Sequence, residues 1–132
     1  MIKATLVAFL VLAALGFFAF GVVLADTWDS MMASGVLRTE GSEAVAMSFW
    51  MFTLLLTAHL MGHLMTGFWF ERKHDLTKYA WQIGLVTGLL WVLPQLGAYF
   101  FYNIPSMVPL VQLVYAVIAF PLAGMAFARM YR

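Results

Sequence analysis

Four stretches of this chain are each long and apolar enough to cross a lipid bilayer, and they leave little sequence between them. They run approximately over residues 2–25, 44–70, 79–102 and 107–130. A helix needs about 20 mainly apolar residues to cross the hydrocarbon core. Inside that core the backbone must satisfy its own hydrogen bonds, which a helix does within one segment. The expected fold is therefore all-α: a polytopic membrane protein in which four transmembrane helices form one bundle over residues 1–132. Short connections make sequential helices antiparallel neighbours.

Composition closes off the water-soluble alternative. Hydrophobic residues make up 64% of the 132 and charged residues 10%, which is too little charge to cover a soluble domain of this size. The mean hydropathy of +0.93 agrees. A net charge of +1 with no basic run gives no reason to expect a nucleic-acid partner. The absence of cysteine removes disulfides, thiolate catalysis, iron–sulfur clusters and Cys-based zinc sites. The first stretch reads as a retained helix rather than a cleaved leader, because its apolar run exceeds the usual ~7–15 residues of a leader core.

Charge placement orients the bundle. Lys3, Arg72, Lys73, Lys78, Arg129 and Arg132 fall on one side of four spans, and the other side carries Arg38 among Asp26, Asp29, Glu40 and Glu43. Cytoplasmic loops collect Lys and Arg, so both termini are expected in the cytoplasm and the Asp26–Glu43 loop outside. Trp28 and Trp50 then fall near the outer interface. Trp69, Tyr79, Trp81 and Tyr131 fall near the inner one, and Trp91 sits mid-span.

Polar side chains inside the spans are the candidates for function. At 100° per residue Ser48, Phe52, His59, His63, Thr66 and Phe70 share one face of the second span. Such a stripe is expected to face other helices or a cavity rather than lipid. Three readings of His59 and His63 stand side by side. As structural groups they hydrogen-bond across helices to partners such as Gln95 and Gln112. As metal candidates, His at i and i+4 jointly hold one ion, but no further His, Cys, Asp or Glu lies within a span. They cannot be opposite axial ligands of one haem, since both project from the same side. As a relay they carry protons near neutral pH, though no intramembrane carboxylate accompanies them. A polar interior or cavity is thus expected to comprise His59, His63, Thr66, Gln95 and Gln112, with no cofactor required.

In the third span Gly84, Gly88, Trp91, Gln95 and Tyr102 share a face, and the Gly84/Gly88 pair permits close helix approach. Pro94 and Pro121 free the carbonyls of Leu90 and Val117. Ala116, Ala119 and Ala123 form a small-residue stripe in line with Gln112. The ten methionines serve as gap-fillers or as Cu(I) thioether ligands. No Ser/His/Asp set, phosphate loop or intramembrane carboxylate pair is present.

Several short motifs resemble a family of small bacterial inner-membrane proteins, four helices each, known as a domain of unknown function. A short Trp-containing segment, "ADTWDSM", follows the first span. "LWVLP" stands in the third span, and Tyr115 and a late Gly124 stand in the fourth. The resemblance implies a four-helix fold in a bacterial inner membrane and assigns no activity or residues. The functional expectation is a small non-catalytic integral membrane protein, working as a homo-oligomer or as an accessory subunit of a membrane complex. The alternatives are a small transporter or channel with a polar path past His59, His63 and Gln95, and a metal- or haem-binding subunit. The orientation is testable with single cysteines in intact cells. Ser34→Cys is expected to react with an impermeant thiol reagent and Thr77→Cys to be protected; the reverse pattern would invert the topology.

Overall fold

The computed structural model describes residues 1–36, 43–67 and 73–131, with side chains of the third segment from Leu76 onward. Arg38, Glu40, Trp69, Phe70, Arg72, Arg132 and the Lys73 side chain, which enter the charge, aromatic and stripe arguments above, lie outside the described residues. The described residues form helices throughout, without a strand. Helix α1 (Ile2–Gly16) runs directly into a π-helical segment (Phe17–Val23), followed by a short α2 (Ala25–Ala33). Then come α3 (Glu43–Gly67), α4 (Lys73–Phe101) and α5 (Met107–Tyr131). Four segments are long and apolar enough to cross a membrane: Ile2–Val23, Glu43–Gly67, Leu76–Phe101 and Met107–Tyr131. The all-α, four-span membrane bundle expected from the sequence is the observed architecture.

Small residues set which helices come closest. On α4 the buried positions are Leu76, Ala80, Gly84, Gly88 and Val92, one every four residues. This stripe meets Ala116, Phe120, Ala123 and Gly124 of α5. The approach is backbone to backbone. A Cβ on Gly88 would lie 2.6 Å from the Ala116 carbonyl oxygen, and one on Gly124 would lie 2.5 Å from that of Ala80. A Cβ on Gly84 would run into the Phe120 carbonyl. Close packing of this kind is the main attraction between helices in lipid, where no hydrophobic driving force acts.

The other face of α5 takes α1, whose stripe Ala4, Ala8, Leu12 and Gly16 repeats the four-residue spacing. Tyr115 clinches that contact, donating its hydroxyl to the Leu12 carbonyl at 2.9 Å. Phe20, Tyr115, Trp91 and Phe120 then stack as a relay of aromatic contacts, with ring centroids 5.1–5.9 Å apart. Helix α3 closes the ring between α1 and α4. Its buried residues, Leu54, Ala58, Met61, Gly62 and Met65, all lie from Leu54 onward.

One element departs from expectation. Ala25–Ala33, read as part of an outer loop, is helical. Leu24, Trp28 and Met31 follow a helical spacing and pack on Val108, Ile104 and Val111 at the start of α5. Trp28 also donates its indole N–H to the Phe20 carbonyl at 2.8 Å. Gly35, at φ +74°, ends the helix, with Val36 N–H bonded to the Met31 carbonyl and Gly35 N–H to that of Met32. This left-handed glycine stop is the Schellman arrangement.

The α4–α5 seam yields a direct test. Gly84→Leu and Gly88→Leu are each expected to lower stability in detergent by about 1–3 kcal/mol or more, the range for overpacking a tight contact. Thermal unfolding of the purified protein checks this, and unchanged melting for both variants would contradict the seam.

Candidate functional site

Two polar sites emerge, at different heights in the bundle. The first is the histidine pair. His59 Nε2 and His63 Nε2 are 3.0 Å apart, one donating and the other accepting. The rings stand edge to face, with centroids 4.5 Å apart and planes at 86°. Both side chains are exposed on the outer surface of α3. They line an open groove of about 580 Å³, whose far wall is formed by Met1, Ile2, Thr5 and Leu6 of α1.

The pair thus faces a groove against α1 rather than the closed interior of the single chain. In the single chain the stripe Ser48, Phe52, His59 and His63 points away from the bundle, not into it. The buried stripe of α3 lies roughly 130° around the helix from it, at 100° per residue. The reason is packing. A Cβ on Gly62 would lie 2.6 Å from Phe127 Cε2, so α3 turns its smallest residues, Ala58 and Gly62, toward the bundle. Helix rotation follows the close contact, and the imidazoles are carried to the far side. Nor do they bond to Gln95 or Gln112. Thr66 is part-buried and folds back on its own helix, donating to the Gly62 carbonyl at 2.9 Å.

The second site is a lateral cleft of about 550 Å³ near the α2 end of the bundle. It exists because α3 separates there: no residue from Glu43 to Thr53 is buried. Gln112 Nε2 donates to Gln95 Oε1 at 3.2 Å, and Gln95 Nε2 donates to the Trp91 carbonyl at 3.1 Å. One hydrogen bond thus links the two amides across α4 and α5. Around them stand Phe17, Phe20, Trp28, Trp50 and Trp91, with Glu43 in the lining. Trp50 fits there because Gly16 has no side chain: a Cβ would lie 2.7 Å from its Cζ2. The π-helical segment supplies Phe17, Phe20 and Gly21 to the wall, and such segments often mark functional sites.

Gln95 and Gln112 are part-buried between helices, whereas His59 and His63 line a separate groove. Sequence reasoning missed Trp28, Trp50, Phe20 and Glu43 as a group. Trp28 and Trp50 read as interface anchors, and only the common end of their helices hinted that they meet. Among the described residues no group of three or more His, Cys, Asp or Glu gathers to hold a metal. The chain matches no protein-family model, no curated protein and no solved structure.

The amide pair is open to a double-mutant cycle. Gln95→Leu and Gln112→Leu are expected to couple by about 0.6 kcal/mol, with about 1.7 kcal/mol as the upper end for interhelical polar contacts in membranes. Unfolding of the single and double variants in detergent measures the coupling, and strict additivity would show that the two amides do not interact.

Proposed function

We propose that this membrane protein is a non-catalytic subunit that is complete only when assembled, as a homo-oligomer or beside a larger membrane complex. The observation that supports this is the exposed histidine pair. From the midpoint of α3 at Leu55, His59 lies about 6 Å and His63 about 12 Å along the axis, at 1.5 Å per residue. Both fall inside a hydrocarbon half-thickness of about 15 Å. Two neutral imidazoles carry two donors and two acceptors. Their mutual bond uses one of each, and no other bond to either ring exists among the described residues. Polar groups at this depth face protein or a wet cavity, not lipid. A partner helix against the outer face of α3 meets that requirement.

Two further features favour assembly. Helix α3 is held along half its length only. Large apolar residues flank the pair on the open face, among them Phe52, Leu56 and Leu60. The non-catalytic reading rests on the sequence, which offers no Ser/His/Asp set, no phosphate loop and no intramembrane carboxylate pair. Residence in a bacterial inner membrane, with both termini cytoplasmic, belongs to the same proposal. It is supported by the Lys/Arg asymmetry and by the resemblance carried by "ADTWDSM" and "LWVLP".

A photoreactive residue introduced at Phe52 tests the reading in native membranes. It is expected to form an adduct with a second polypeptide, either another copy of this chain or a different subunit. The same residue at Leu93, on the outer face of α4, is expected to react with lipid alone. Lipid adducts alone at both positions would remove the support for an assembly through α3.

A further inference from the structure

The histidine pair has the geometry of half a metal site. Imidazole binds first-row divalent ions at about 2.0–2.1 Å. With bonds of that length, two Nε2 atoms 3.0 Å apart subtend about 94° at a shared ion. That is close to the right angle of square-planar nickel or copper. A tetrahedral zinc site needs the two nitrogens only a few tenths of an ångström further apart. The two Nε2 atoms are therefore already at the separation a shared ion needs, held there by the Nε2–H···Nε2 bond, and binding turns each ring so that its lone pair meets the ion instead of the other nitrogen. To bind an ion, the ring that carries its proton on Nε2 must carry it on Nδ1 instead. This is a change of tautomer within a neutral ring, and both Nε2 lone pairs become free.

Two ligands do not hold an ion stably, and among the described residues no third His, Cys, Asp or Glu joins them. His59 and His63 are the only imidazoles of α3, and no cluster of three metal-binding side chains occurs among the described residues. The pair is instead exposed on a face that opens outward. A two-fold axis running past that face would supply an identical pair from a second copy. Homo-oligomers are most often two-fold, and a two-fold contact brings the same patch of both chains together. Four imidazoles then enclose one ion, spread its double charge, and take it out of contact with lipid. A different subunit would need its own matching pair; a second copy brings one by symmetry. The groove carries another unmet polar group. Thr5 on the α1 wall is 6% exposed, and its Oγ1 has no hydrogen-bond partner among the described residues.

We infer that His59 and His63 of two copies of this chain form a shared four-imidazole site for a divalent first-row metal of the nickel, copper or zinc group. The inference rests on the assembly reading above and names its partner and its ligand. The metal draws the two outer faces of α3 together, and each chain contributes half of the coordination.

The experiment uses the full chain without a histidine tag, purified in mild detergent and stripped with a chelator. It is titrated separately with zinc, nickel and copper(II) salts. Bound metal is measured by elemental analysis after gel filtration, and mass by light scattering. For at least one of the three ions, one equivalent is expected per two chains, on a species of dimer mass. Either His59→Gln or His63→Gln is expected to reduce retained metal at least tenfold. The helical circular dichroism of both variants should remain that of the wild type, since glutamine still donates and accepts hydrogen bonds. One equivalent per chain on a monomer would overturn the shared site. A dimer that retains none of the three ions would overturn the metal site and leave the assembly reading intact. Equal retention of metal by wild type and both variants would place the metal elsewhere and overturn the inference.

Discussion

The contact between α4 and α5 at Gly84, Gly88 and Gly124 is the constraint on which the rest of the bundle depends. In water, burying apolar side chains would hold these helices together. In lipid the surroundings are as apolar as the side chains, so shape decides. Glycine at these positions lets carbonyls of Phe120, Ala116 and Ala80 occupy the space of a missing Cβ. Fixing α5 against α4 fixes the direction of Tyr115, whose hydroxyl reaches the Leu12 carbonyl and sets α1. It also fixes Phe127, which accepts Gly62 and sets α3. Three helices thus take their rotation from one.

That order of dependence explains why α3 has two unlike halves. From Leu54 to Met65 it is docked, with Ala58 and Gly62 allowing the close approach and Leu54, Met61 and Met65 buried beside them. Above Leu54 nothing comparable exists. Phe49, Trp50 and Met47 are too large to let the backbone approach, so the helix stands off and the cleft opens. The Gln95–Gln112 bond forms on the side of the cleft made by α4 and α5 and needs nothing from α3. The cleft therefore opens where large side chains take over from the close contact at Ala58 and Gly62.

What could be read in the sequence follows the same logic. Spans were legible because length and hydropathy are properties of one helix. The α4 face bearing Gly84 and Gly88 was legible because close approach leaves a residue signature. Gln95 and Gln112 were legible as buried polar groups, although their pairing with each other needed the relative register of α4 and α5. The facing of α3 was misread because two stripes compete on that helix. Periodicity gives the direction of each but not which one the bundle takes. Polarity argued for His59 and His63, whereas shape argued for Ala58 and Gly62, and within the chain shape prevails. Helix α2 was hidden by its polar residues, Asp26, Thr27, Asp29 and Ser30, which lie among Leu24, Trp28 and Met31. The glycine at 35 was the overlooked stop signal.

The misreading of α3 is itself informative. A polar stripe that loses the competition for the interior remains a polar stripe in hydrocarbon. The internal bond between His59 and His63 settles half of the pair's hydrogen-bonding capacity and holds the two Nε2 atoms 3.0 Å apart. The same helix carries Trp50 into the cleft and Phe52 onto the open face, only two residues apart. Because nothing else buries this half of α3, whatever seats on the open face also sets the position of the cleft wall. The least constrained helix of the bundle is thus the one that carries both of its unfinished surfaces, and the seam between α4 and α5 can stay rigid while α3 responds.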